Sequence, residues 1–269
     1  MRIKHFLNKA INLLVPKKGN VNYGWSGNYS SWKEVSVLCN GYDDKIIFEK
    51  VKSASLAVKN GKALFERDSV LFFEEDRNED FLKIIDAVAL DNNNELHVLD
   101  FGGSLGSLYF QYKSEFSKYK NLKWSIIEQS HFVDFGKKEL QDENLRFYYT
   151  IEECIKDKNK ADIVILSSVI SYFEKPYELL SEIISFNFKY ILIDKTIFCN
   201  FPEDILTLQI VPPEIYTASY PCWVLNEHKL CKFVSTKYDL QKKFNPFGET
   251  VIKIDDKTAY FKALLFKIK

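Results

Sequence analysis

Residues 98–107, VLDFGGSLGS, end an apolar run on a carboxylate, Asp100, and follow it with Gly102, Gly103 and Gly106 in a chain that holds only ten glycines. Bare backbone directly after a buried strand lets a ligand lie against peptide groups with no side chain between them. Three further apolar runs also end in polar residues: Glu128 with Gln129 after it, Ser167 with Ser168, and Asp194. A carboxylate accepts two hydrogen bonds side by side, so Asp100 and Glu128 are matched to a donor-bearing ligand. Each also has a plainer reading as a turn or helix cap. His131 stands three residues after Glu128, and a neutral imidazole is the side chain suited to take a proton from a hydroxyl. A histidine at the exposed start of a helix is the alternative.

Two phosphate-binding fingerprints can be tested on the same turn, and both fail. G-x-G-x-x-G needs a glycine where Ser104 stands if counted from Gly102, or where Leu105 stands if counted from Gly103; no Gly-Lys-Ser or Gly-Lys-Thr closes a Walker loop. A nucleotide-sugar or NAD enzyme is disfavoured accordingly. Thr150 and Glu153 have capping-box spacing, which makes a helix cap the first reading of Thr150 and a ligand contact the second. His97 falls within a strand-like run and reads as core, whereas His228 and Tyr220 belong to a late segment able to cover a site. Trp25, Trp32 and Trp223 can stack on a flat sugar or base face, or simply pack.

The elements that would position these groups fall into two textures. Ile3, Phe6, Leu7, Ala10, Ile11 and Leu14 form one helical face that Pro16 stops. Residues 1–16 are therefore an amphipathic helix suited to peripheral membrane contact, to dimerisation or to docking on its own chain. Ser31 and Glu34 predict a helix from Trp32 toward Cys39, ended by Asn40-Gly41. Helical spacing returns over 45–58 and 81–90, with FERDSVLFF between. From 97 onward short apolar runs at 97–101, 124–128, 163–167 and 190–194 alternate with helical stretches, the signature of an α/β chain with a doubly wound, mostly parallel sheet. Residues 251–254 and 259–267, separated by DDKT, predict an antiparallel hairpin closing that sheet. The expected organisation is a mainly helical N-terminal extension over 1–95 and an α/β catalytic domain over 96–269.

Composition narrows the class. With 269 residues, 46% hydrophobic and 15% aromatic, the chain can bury a sizeable core. Lys plus Arg equals Asp plus Glu at 37 each, so no overall field draws in nucleic acid. The five cysteines form no C-x-x-C pair and read as reduced thiols of a cytoplasmic protein. No apolar run reaches the roughly 20 residues of a membrane span, leaving a soluble or membrane-peripheral protein. No metal-ligand cluster is evident, although Asp194 with other carboxylates leaves a cation open.

Asp100-Phe101-Gly102-Gly103-Ser104-Leu105-Gly106 resembles the D-x-G-x-G-x-G first motif of class I S-adenosylmethionine-dependent methyltransferases, with Ser104 in place of the central glycine. WSGNYSSW, ERDSVLFF, EQSHFV, FYYTIEEC, LSSVISYFEKPYELL, IDKT and VPPEIYTASYPCW extend the likeness, from Trp25 to about Trp223, to a group of bacterial methyltransferases associated with surface-polysaccharide synthesis. The resemblance implies S-adenosyl-L-methionine as cofactor. It places the turn (Gly102, Gly103, Ser104, Gly106) around the methionine part, Glu128 on both ribose hydroxyls and the Thr150 loop against the adenine, with Ser167 and Ser168 opposite the turn. The expected reaction is O-methylation of a carbohydrate or nucleotide-sugar acceptor, with His131 or Asp194 as base or orienting group and Tyr220, Trp223 and Trp25 against the acceptor. The rival is a non-catalytic scaffold that keeps the fold, with Ser104 as a first sign of decay.

Overall fold

A computed structural model describes residues 23–39, 45–157, 160–216, 218–248 and 250–269. The amphipathic segment 1–16 and the Asn40-Gly41 helix stop lie outside the described residues. In chain order the elements are β1 (Gly24–Ser26), α1 (Trp32–Ser36), α2 (Lys45–Lys59), β2 (Phe65–Arg67), β3 (Val70–Phe72), α3 (Glu79–Leu90), β4 (Leu96–Phe101), α4 (Ser107–Phe116), β5 (Leu122–Ile127), α5 (Ser130–Phe135, continued by a wider helical turn over Gly136–Leu140), β6 (Leu145–Tyr148), α6 (Ile151–Lys156), β7 (Ile163–Ser167), α7 (Pro176–Ser185), β8 (Tyr190–Cys199), β9 (Ile205–Ile210), β10 (Ser219–Asn226), α8 (Glu227–Val234), β11 (Tyr238–Phe244), β12 (Val251–Ile254) and β13 (Lys257–Ile268).

Eleven strands form one mixed sheet in the order β11-β13-β12-β1-β9-β10-β8-β7-β4-β5-β6, and β13 pairs additionally with β8. Along β6-β5-β4-β7-β8 every neighbouring pair is parallel. These strands are apolar at consecutive positions because both faces are covered. Val98, Ile163 and Ile165 enter one core, and their chain neighbours Leu99, Val164 and Leu166 enter the other. The chain runs from β4 out to β6 and then returns to β4's other flank as β7. The carboxyl end of β4 is therefore a switch point, where such sheets open a ligand crevice.

The parallel half stands as expected, and so does the C-terminal antiparallel hairpin, β12 with β13, but the expectation of an open doubly wound sheet needs correction. β8 and β13 are long, and their ends beyond the parallel region, paired at Phe261 and Ile197, take on further partners. β8 continues to β10, β10 to β9, β9 to β1, β1 to β12 and β12 back to β13, which closes a ring of six strands. Closure removes the exposed edges that an open sheet would leave. Trp25, Ile197, Cys199, Cys222, Val224 and Ile254 pack together as the apolar core of this ring.

The described residues before β4 are woven into the same body: β1 is a ring strand, and Phe81, Ile84 and Ile85 of α3 pack into the core that holds Leu96 and Val98. Ser31 caps α1 as expected by accepting from the Glu34 N–H at 3.3 Å, while Glu34 reaches back one residue further than a capping box does, to the Ser30 N–H at 3.0 Å. β2 and β3 form a separate hairpin across Asp68-Ser69, both left-handed (φ +51° and +65°), the backbone that a two-residue turn between twisted strands requires. Among the described residues no helix is long and apolar enough to cross a membrane.

Candidate active site

The chain turns sharply where β4 ends. Gly102 (φ +71°) and Gly106 (φ +96°) occupy left-handed positions that strain any side chain. The Gly102 N–H donates to the Ile127 carbonyl at 2.8 Å, tying the turn to the end of β5. A Cβ on Gly102 would come within 2.5 Å of Val169 Cγ2, and one on Gly103 within 2.5 Å of Asp100 Cγ. The turn is thus clamped between Val169 and Asp100, and glycine is required by closeness as well as by backbone angle. Ser104 is left-handed too, at φ +53°, and its N–H donates to Glu128 Oε1 at 3.2 Å.

Asp100 lies beneath this turn. It is 1% exposed; Oδ2 accepts from Trp124 Nε1 at 3.1 Å, and Oδ1 has no hydrogen-bond partner among the described residues. Burial pushes its carboxyl up to about 7, opposed by the Trp124 N–H and the Lys195 ammonium and reinforced by Glu128 and Asp194. Glu128 instead faces a cavity of about 1140 Å³. Its Oε1 and Oε2 accept the backbone N–H groups of Ser104 and Gln129, the latter at 2.7 Å; burial raises its pKa and these two bonds lower it. An ionised carboxylate has about four lone-pair sites, so two further donors can still be received from the cavity.

That cavity exceeds the roughly 300–1,000 Å³ of a site for one small molecule. At one end lie Gly102, Glu128, Gln129, Thr150 and Ser168, drawn from the carboxyl ends of β4, β5, β6 and β7. Thr150 caps α6, accepting from the Glu153 N–H at 3.1 Å as its first reading expects, and also lines the cavity wall. Trp25, Asp68, Gln209, Tyr216, Tyr220 and Phe261 line the other end, at the mouth of the ring.

Several expected site residues sit elsewhere. His131 turns its ring edge-on to Phe48 of α2, with centroids 4.9 Å apart, and does not line the cavity. Asp194 is buried behind it, accepting from Ser167 Oγ at 3.2 Å and lying 3.9 Å from Lys195 Nζ; desolvation raises its pKa and lowers that of Lys195. Ser167 stays with Asp194 behind the wall, whereas Ser168 reaches it. The Trp223 indole donates to the Glu174 carbonyl at 3.2 Å and packs on the other core, outside the cavity. Gly103, Ser104 and Gly106 shape the turn without being cavity wall.

Sequence reasoning passed over the hairpin and the ring floor. Glu66, buried, joins the hairpin to the glycine turn: one oxygen accepts from the hydroxyl of Ser107, first residue of α4, and the other from the Ser69 N–H at 3.0 Å. Desolvation pushes its carboxyl up to about 7. Arg67 lies over the rings of Phe65, Phe72 and Phe247 and pairs with Asp76 at 2.7 Å. Asp68 exposes its carboxylate to the cavity and makes no hydrogen bond among the described residues. Surrounding protein raises its pKa, with Arg67 and Lys195 opposing. Gln209 pairs in register with Trp25 on one side and Tyr220 on the other, so the three form one row across β1, β9 and β10. Tyr172 OH donates to Gln209 Oε1 at 3.0 Å. The usable signal for the hairpin was Asp-Ser between two apolar runs in FERDSVLFF, a two-residue turn.

No family model matches the chain, and no curated protein does. Solved structures similar to it include the N-terminal domain of EvdMO1 in the presence of SAH and D-fucose (10% identity, 84% of this chain and 100% of that one, TM-score 0.48). LepI in complex with SAM is another (10% identity, 83% and 55%, TM-score 0.46). A third is human N-acetylserotonin methyltransferase in complex with SAM (14% identity, 99% and 66%, TM-score 0.45).

Proposed function

We propose that the chain is an S-adenosylmethionine-dependent methyltransferase acting on an oxygen of a carbohydrate acceptor, in the surface-polysaccharide setting that the sequence resemblance implies. The observation that carries this reading is one cavity with two chemically distinct ends: a glycine turn with the Glu128 carboxylate at the switch point, and a row of hydroxyl, amide and aromatic groups at the ring mouth. The residues present fit the cofactor. Glu128 retains acceptor sites for a pair of ribose hydroxyls, Gly102 leaves bare backbone against the wall, and the Thr150 loop offers a surface for a base.

S-adenosylmethionine, when bound, supplies a methyl group already activated on a cationic sulfur. The protein's contribution is chiefly alignment: holding acceptor and methyl in line can supply roughly 7 to 11 kcal/mol. Asp68 takes over the role first assigned to His131 and Asp194, because it is a carboxylate on the cavity wall with no hydrogen bond among the described residues, free to accept a proton from an acceptor hydroxyl. Titration calorimetry with S-adenosylmethionine and S-adenosylhomocysteine tests the reading. Binding of both with micromolar dissociation constants is expected, and failure of both to bind removes it.

A further inference from the structure

The charge of the cavity bears on the acceptor, on the footing of the methyltransferase reading. Among the described lining residues the only Lys, Arg or His is Arg67, and Asp76 already neutralises it. Asp68, Glu74 and Glu75 on and after the hairpin, and Glu214 before Tyr216, are carboxylates on the same wall with no ion pair among the described residues. Opposite them Gln209 is 6% exposed. Its Oε1 is engaged by Tyr172, while its side-chain N–H groups donate to nothing among the described residues. Trp25 and Tyr220 flank it in register, and Tyr172 meets the Tyr220 ring edge-on at 5.1 Å.

We propose that the ring mouth is a subsite for an uncharged, hydroxyl-rich ring, a sugar presented as a glycoside and not as a nucleoside diphosphate. The Gln209 amide donates to an acceptor oxygen, a bond that the buried amide otherwise lacks. Trp25 and Tyr220 bound the ring with flat apolar surface, the usual complement to the C–H face of a sugar. Asp68 accepts from the hydroxyl to be methylated. As the acceptor oxygen forms its bond to the methyl carbon, the carbon–sulfur bond breaks with its electron pair left on sulfur, and the hydroxyl proton passes to Asp68. Among the described lining residues a diphosphate would meet several carboxylates and no free cation; each close like-charge pair weakens binding by about tenfold or more at the effective dielectric of a protein surface.

The test uses the full chain saturated with S-adenosylhomocysteine and two probe sets: methyl glycosides of common neutral hexoses, and the uridine diphosphate conjugates of the same hexoses. Ligand-detected NMR titrations are expected to show at least one glycoside binding, with its conjugate at least about tenfold weaker. Gln209→Leu should weaken glycoside binding about tenfold with S-adenosylhomocysteine affinity intact, which also reports a folded protein. Asp68→Asn should narrow the gap between the two sets. A conjugate binding more tightly than its glycoside, no glycoside binding at all, or an indifferent Gln209→Leu overturns the proposal. Failure of S-adenosylhomocysteine itself to bind overturns the methyltransferase reading, a separate result seen before any sugar is added.

Discussion

The Trp124 indole N–H reaches across from β5 to one oxygen of Asp100 on β4, and the other oxygen of that carboxylate is buried with no donor among the described residues. A carboxyl held this way is easier to keep protonated than ionised. An unfolded aspartate titrates near 3.9, whereas Asp100 holds its proton to about 7. The folded state therefore binds more protons between those values, and this group's contribution to stability is fully present below about pH 4 and is lost as pH rises to about 7. Asp100→Asn removes the titration while keeping an acceptor for Trp124. Relative to the parent, the variant should gain stability between about pH 4 and pH 8, by up to about 4 kcal/mol. Urea denaturation across that range checks it, and two parallel stability curves would show that Asp100 ionises in the fold like an ordinary surface carboxylate.

Glu128 receives two backbone N–H groups and faces the cavity, so its charge steadies the turn and, on the proposed reading, is presented to the cofactor. Glu128→Gln keeps the size and one acceptor but replaces the other with a donor that opposes an N–H. A lost charged hydrogen bond costs about 1.5 to 3 kcal/mol, which predicts roughly 10- to 150-fold weaker S-adenosylhomocysteine binding. Calorimetry measures it directly, and unchanged affinity would remove Glu128 from the ligand site.

Ser104 stands at φ +53°, where an L-residue costs roughly 1–2 kcal/mol relative to glycine. The greater freedom of glycine in the unfolded chain offsets part of that. Ser104→Gly should therefore stabilise the fold by about 0.5–1 kcal/mol and leave S-adenosylhomocysteine affinity equal or better, because the backbone N–H to Glu128 is kept. Gly102→Ala, by contrast, meets both a left-handed angle and Val169 at 2.5 Å, and should lower affinity at least about tenfold. Adding Val169→Ala relieves the overlap but not the angle, so only part of the loss should return. Full recovery in the double variant would mean that the backbone angle at Gly102 costs nothing.

What could be read from the sequence follows from how local each feature is. Gly102, Glu128 and Thr150 were legible because a strand, a turn and a helix cap are set by neighbours within a few residues. The four apolar runs were legible because strands buried on both faces lack polar interruptions. Gln209 and Asp68 were not, since their place at the site depends on β1 inserting between β9 and β12 and on a hairpin packed against α4. β10 carries Pro221 in its interior, which argues locally against a strand, and β11 buries only its end residues, Tyr238 and Phe244, with Asp, Gln and Lys between them, a weak strand signal. His131 lies off the cavity for a related reason: at the second residue of a helix, its ring meets Phe48, whose position no local rule supplies.

The bridge from Glu66 to both Ser107 and the Ser69 N–H is what fixes the Asp68 turn relative to the glycine turn. Glu66→Ala removes both bonds and leaves the Ser69 N–H without its acceptor, at a cost of about 1–3 kcal/mol. Glu66→Gln can restore them, its carbonyl facing Ser69 and its N–H groups facing a Ser107 hydroxyl that rotates to accept. Amide hydrogen exchange should therefore quicken at least about tenfold at Ser69 and Val70 in Glu66→Ala, remain near the parent rate in Glu66→Gln, and stay unchanged in the β4–β5 core of both. S-adenosylhomocysteine affinity should be similar in all three proteins, because Glu66 holds the acceptor side of the cavity. If the Ala variant protects its hairpin as well as the parent does, the three rings beneath Arg67 hold the hairpin unaided, and Asp68 owes its position to them.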